Sequence, residues 1–176
     1  MSCRTCSSAF ASTVPAGMPL VSAYRTEEEA QQAPVQRLTV GYCSECDAHT
    51  SPNRGLDALL DTLVHEEDET AGEALEGWRE RLDAANRRGE RVVFWGHPAS
   101  AVGFLAVLQM GVPLDACVGT PGHGFLGGSA VPIVTVERLR EDPPQLVVIV
   151  DETAVDDVRA ALDELEIAPR VFSLRG

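Results

Sequence analysis

Cationic side chains are scarce in this sequence. There is no lysine, and 14 arginines stand against 27 aspartates and glutamates over 176 residues, for a formal net charge of -13. A protein that grips nucleic acid needs a basic footprint to neutralise phosphates, so nucleic acid is set aside as a partner. An anionic membrane surface is disfavoured by the same sign. Long apolar runs are also missing: none approaches the ~20 residues that span a bilayer. The opening "MSCRTCSSAF" lacks the apolar stretch of a secretory signal. The expectation is a soluble cytoplasmic protein. Its lysine-poor, Ala-, Arg- and Val-rich composition points to a GC-rich bacterial gene. Hydrophobic residues still make up 44%, enough for a buried core, so disorder is not the expectation for the bulk of the chain.

Cysteines are few, but their spacing is informative. "CRTC" holds Cys3 and Cys6, and "CSEC" holds Cys43 and Cys46. Two such pairs are what a tetrahedral zinc ion requires, because each pair wraps one side of the ion through a tight turn and supplies soft thiolates. Four thiolates close the coordination shell, so the expected Zn2+ is structural, and its binding energy would fold this segment. Two redox or incidental pairs are the alternative. His49 reads as a surface residue or a donor behind the ligands. Cys117, inside an apolar stretch, reads as a small core residue. Between the pairs, Glu27 to Glu29 read as a solvated face and "VQRLTVGYC" as a strand.

"DAHTSPNRG" is rich in turn residues. After it, 56–64 is apolar at helical spacing. The charged stretch that follows carries Leu75, Trp78, Leu82 and Ala85 as an amphipathic stripe. Arg87, Arg88 and Gly89 give it a basic last turn and a glycine stop. His65 with Glu66, Glu67 and Asp68 reads more simply as a polar helix start than as a metal or acid–base cluster.

From residue 91 short apolar stretches alternate with helical ones. Strands are expected at 91–96, 115–120 and 145–152, with a short one in "VPIVTVERLRED" and a last one in "RVFSLRG". Helices are expected over 98–111 and in "TAVDDVRAALDELEI", the latter with Thr153 as N-cap. "GHGFLGG" reads as a glycine loop. Such alternation implies a parallel sheet covered on both faces. The fold class is α/β: a small Rossmann-like parallel-sheet domain over 91–176, a four-cysteine zinc-binding domain over 1–52, and a linker and connecting helix over 53–90.

In such sheets ligands bind beyond the carboxyl ends of the strands. Candidate ligand-binding residues are therefore Gly96, Ser100, Gly119, Gly122 and Gly124, with Asp151 and Glu152 ending a third strand. His97 and His123 fall on the same rim. Imidazole titrates near neutrality, so the two are the candidate acid–base pair; ordinary loop histidines are the alternative. "GHPASAVG" is not Gly-x-Gly-x-x-Gly, so the dinucleotide fingerprint is absent, and Pro98 removes a backbone donor.

Several stretches resemble the zinc-containing sugar C-methyltransferases of deoxysugar biosynthesis. In the back half they are Phe94-Trp95-Gly96, Gly103-Phe104-Leu105, Gly124-Phe125-Leu126-Gly127-Gly128, Val131-Pro132-Ile133 and "VERLREDPPQLVVIV". In the front half they are the two Cys-x-x-Cys pairs around "GMPLVSAY". The resemblance covers both ends in order, but fewer than fifty residues separate Cys46 from Arg91, too few for that family's S-adenosylmethionine-binding domain. The family's turn lysine is replaced by Val102, and His97-Pro98 stands where the family has alanine and a following residue. The resemblance thus implies a truncated relative without self-sufficient methyl transfer. Its ligand would be a nucleotide sugar or related metabolite, and its chemistry isomerase- or lyase-like acid–base work. The alternative is a non-catalytic accessory protein that docks to a partner enzyme.

Overall fold

A computed structural model describes residues 2–3, 6–46, 48–50, 71–108, 114–120 and 122–174. The helix expected over 56–64 and the cluster of His65, Glu66, Glu67 and Asp68 lie outside them. Among the described residues, no helix is long and apolar enough to cross a membrane.

The front of the chain is an antiparallel hairpin. Strand β1 (Ser12–Pro19) pairs along its length with β3 (Val35–Cys43), from Ser12 opposite Tyr42 to Pro19 opposite Val35, and β4 (Ala48–Thr50) adds to the other edge of β3. Between them lie β2 (Ala23–Tyr24) and a single helical turn, α1 (Glu27–Gln31). The acidic run forms that turn because Thr26 and Glu29 make a reciprocal capping box, and three glutamates at a helix N-terminus suit its dipole.

The back is a three-layer α/β unit. Its central sheet is built from β5 (Val92–Trp95), β6 (Ala116–Val118), β8 (Ile133–Val134), β9 (Leu146–Ile149) and β10 (Arg170–Ser173). All its pairings are parallel, in the spatial order β10-β9-β5-β6-β8. Side chains alternate between two helix layers, as the period of two demands. Val92, Phe94, Cys117, Leu146 and Val148 pack toward α2 (Ala71–Arg87) and α3 (Pro98–Leu108). Val93, Ala116, Val118, Val147 and Ile149 pack toward α4 (Val155–Glu164) and a 3-10 turn at Val136–Arg140. Both faces are covered, which is why these strands read as continuous apolar runs rather than alternating ones.

The expected stripe of α2 is buried: Leu75, Trp78, Leu82 and Ala85 all lie in the core. Trp78 meets Phe104 edge-on at 5.6 Å and Phe172 at 6.5 Å. Gly89 stops the helix in the left-handed region, at φ 65°, where a Cβ is strained.

Two sequence expectations fail here. "GHGFLGG" is not only a loop: Phe125–Leu126 forms strand β7, antiparallel to Ala23–Tyr24 of β2, with Leu126 fully buried. A two-residue strand has no periodicity to read, and its partner lies about a hundred residues away. Thr153 is not the N-cap of α4 either. Ala154 holds that place without a side-chain bond, because the Thr153 hydroxyl is taken by Asp151.

β2–β7 also joins front to back. Gly127 N–H donates to Ser22 O and Gly128 N–H to Ala30 O. A Cβ on Gly127 would come within 2.5 Å of Val21 O and 2.8 Å of Pro19 Cβ, so glycine is needed for this close approach.

Candidate functional sites

Each cysteine pair sits in its own tight turn. In the first, Ser7 N–H donates to Cys3 O and Cys3 N–H to Ser8 O, with Ser7 in the left-handed region at φ 64°. The second follows β3 at Cys43 and turns back into β4, with Cys43 opposite Ala48. The side chain of Phe10 lies over Gly41, where a Cβ would come within 2.4 Å of the ring.

The two turns face each other. The Sγ atoms of Cys3, Cys6, Cys43 and Cys46 all lie within 4.8 Å of one another. Cys3 and Cys46 are 3.6 Å apart, and Cys6 and Cys43 3.4 Å. Disulfide sulfurs would be at about 2.05 Å, and none of the five cysteines forms a disulfide. Four sulfurs at about 2.3 Å from a tetrahedral ion would be roughly 3.8 Å from each other, so the cluster is dimensioned for a metal ion. Its proton affinities are uneven. A hydrogen bond from the Ser8 backbone holds the Cys6 thiol below the ordinary range, while burial and neighbouring thiols push Cys46 up to about 12. A bound cation removes that conflict by stabilising all four thiolates together. His49 lies on β4, opposite Tyr42.

The second site lies at the carboxyl ends of the parallel strands. The chain runs outward from β5 to β6 and β8, then returns to place β9 on the other side of β5. Connections leave β5 and β9 in opposite directions, which opens a crevice between their ends. A cleft of about 550 Å³ occupies this rim. Gly96 and His97 end β5 there, Gly119 and Thr120 follow β6, Thr135 and Glu137 follow β8, and Asp151 and Thr153 follow β9.

Asp151 organises the cleft. Its Oδ2 accepts the His97 N–H at 2.8 Å. Its Oδ1 accepts the Thr153 N–H at 3.0 Å and the Thr153 hydroxyl at 2.6 Å. The carboxyl group packs so closely on β5 that a Cβ on Gly96 would be 2.5 Å from its Cγ, and Gly96 has φ 138°. Glycine is therefore required by both space and backbone. Gly119 is held likewise, since its Cβ would stand 2.4 Å from Gly96 O.

His97 is exposed, and its Nδ1 accepts the Ala99 N–H at 3.1 Å. In the neutral ring the proton then sits on Nε2, as a donor. Of the residues expected at this rim, the cleft is lined by Gly96, His97, Gly119 and Gly122. Ser100, His123 and Gly124 are not among its lining residues. Ser100 N–H donates to His97 O, inside the first turn of α3, and His123 is exposed beside Gly122. Asp151 is visible in the sequence as a strand-end residue, and its two bonds to Thr153 are local, but its bond to the His97 N–H depends on a chain reversal that no local pattern signals. Cys117 lies in the core beneath, and burial, with a contribution from the Asp151 charge, pushes its thiol up to about 12. It is poorly suited to act as a nucleophile.

No family model and no curated protein matches this chain.

Proposed function

We propose that this is a zinc-stapled, C-methyltransferase-like protein without a methyl-donor domain. It binds a nucleotide-linked sugar or related small metabolite in the strand-end cleft of a Rossmann-like sheet. There it performs acid–base chemistry of the isomerase or lyase kind, in a bacterial cytoplasm. The observation that carries the reading is the cleft itself, at the reversal of strand order where open α/β sheets take their ligands. Zinc is the ion best matched to four thiolates, Cys3, Cys6, Cys43 and Cys46, at tetrahedral spacing. With its shell closed by protein, zinc gives shape and not chemistry. His97, its ring held by Ala99 and its Nε2 carrying the proton, is the acid–base group, and His123 stands next to the lining residue Gly122.

The accessory-protein reading also has an observation in its favour. Leu20, Val21 and Val35 are exposed apolar residues at one end of the hairpin, where Leu20 N–H donates to Pro34 O and so brings the two strands' ends together.

Calorimetric titration of the zinc-loaded protein with a thymidine diphosphate-linked sugar tests the ligand class, with S-adenosylmethionine in parallel. The expected result is binding of the former alone; binding of neither would remove the ligand class from the reading. His97→Ala then separates the two roles. An enzyme keeps its fold and loses turnover of the bound sugar nucleotide, whereas an accessory protein is indifferent to the change.

A further inference from the structure

The hydrogen bonds around the cleft indicate which part of a ligand fits it. The first βα turn of an open parallel sheet usually offers unpaired N–H groups to a phosphate. In this turn they are already used. Gly96 N–H donates to Val118 O at 2.9 Å, and His97 N–H donates to Asp151. Pro98 has no N–H. Ala99 N–H donates to His97 Nδ1, and Ser100 and Ala101 N–H both donate to His97 O, at 2.9 and 3.2 Å. The place an anion would take is filled by the chain's own carboxylate, packed over Gly96 at a distance no side chain on that residue would allow.

The charges agree. Asp151 and Glu137 line the cleft, and among the described residues neither lysine nor arginine lines it. The arginines that follow Glu137 are engaged elsewhere: Arg138 pairs with Glu141, and Arg140 donates to Glu164 O. The Thr135 hydroxyl holds the Glu137 carboxyl below the ordinary carboxylate range, so it stays ionised.

We propose that Asp151 is a specificity-determining residue that occupies the anion seat of this cleft, so that the cleft takes the phosphate-free, amine-bearing sugar ring of its ligand. The inference rests on the reading that the cleft binds a sugar-type metabolite, and it deepens that reading. An ammonium group meets two carboxylates, ring hydroxyls meet the remaining acceptor capacity of Asp151 and the hydroxyl of Thr120, and the phosphates of a nucleotide-linked ligand lie outside. A unit charge about 4 Å from one carboxylate in a water-like medium changes affinity by roughly fivefold.

The test is a residue-resolved amide chemical-shift titration of the zinc-loaded full chain with glucosamine, glucose and glucose 1-phosphate, near pH 6.5. The Gly96, Gly119 and Gly122 amides are expected to saturate with glucosamine at a Kd roughly fivefold or more below that for glucose. Glucose 1-phosphate is expected to bind more weakly than glucose. Asp151→Ala should reverse the last pair by emptying the seat and releasing the His97 N–H. Glu137→Gln, which leaves the bonds of Asp151 in place, should reduce the amine preference without improving phosphate binding. If Asp151→Ala loses its dispersed amide spectrum, the wild-type ranking and Glu137→Gln still decide. Glucose 1-phosphate binding the wild type more tightly than glucose at these amides would overturn the proposal while leaving the sugar-cleft reading intact. Silence of the three amides towards all three probes would overturn both.

Discussion

The hairpin and the parallel sheet hold themselves together by different physics. Among the described side chains up to residue 50, the buried hydrophobic residues are Cys3, Ala30 and Cys43, two of them members of the thiol cluster. In β9 alone, every residue of Leu146–Ile149 is buried on a sheet covered from both sides. The hairpin has backbone pairing and a place for an ion, and a metal held there would add its binding energy to the folding of this segment. The sheet draws on burial, at about 25 cal/mol per Å² of apolar surface.

The largest expected effect breaks the comparison at the metal. On the proposed zinc reading, chelation or Cys43→Ser should unfold the hairpin, since structural zinc contributes an apparent ~10–16 kcal/mol in finger peptides. Both tryptophans, Trp78 and Trp95, belong to the sheet unit. Hydrogen exchange over β1 and β3 should therefore accelerate while tryptophan emission stays unchanged. A shift in that emission on chelation would mean that the two regions share one cooperative core through β2–β7.

A smaller effect is expected from the reverse cut. Phe104→Ala removes a fully buried ring that touches Trp78 and stands 5.5 Å from Phe94. It should cost about 3–5 kcal/mol, read as a lower denaturant midpoint of the tryptophan transition. Zinc retention, followed with a chromogenic chelator, should change little if the hairpin's fold is set by the ion. Loss of zinc from this variant would show that the hairpin leans on the sheet.

The smallest effect is electrostatic and confined to the sheet unit. Arg88 hydrogen-bonds Glu90, and Arg170 of β10 pairs with it as well, so the Glu90 carboxyl is held below its ordinary value of 4.5. A carboxyl bound more tightly as the anion in the folded state stabilises fully above its unfolded pKa, and that contribution is lost as pH falls through the folded value. Glu90→Gln should therefore remove a small contribution at neutral pH, small because the ion pairs are largely solvent-facing, and flatten the acid limb of the sheet's stability curve below about pH 4.5. An unaltered acid limb would refute the assignment.

Much of the sheet unit was legible because its signals are local. The runs at Val92–Trp95 and Leu146–Ile149, the stripe of α2, the glycine stop at Gly89 and the two Cys-x-x-Cys turns each lie within a few residues. What could not be read was non-local. Leu126 pairs with Ala23, and His123 stands beside the cleft rather than on its wall.

The amino-acid sequence alone determined the longer strands and helices of the sheet unit and which thiols belong together, because hydrophobic period and ligand spacing are written along the chain. Only the tertiary structure decided that β9 returns beside β5 and so brings Asp151 to the His97 turn. That contact joins residues 54 positions apart, through a crossover set by the packing of whole layers, and no neighbouring residue encodes it.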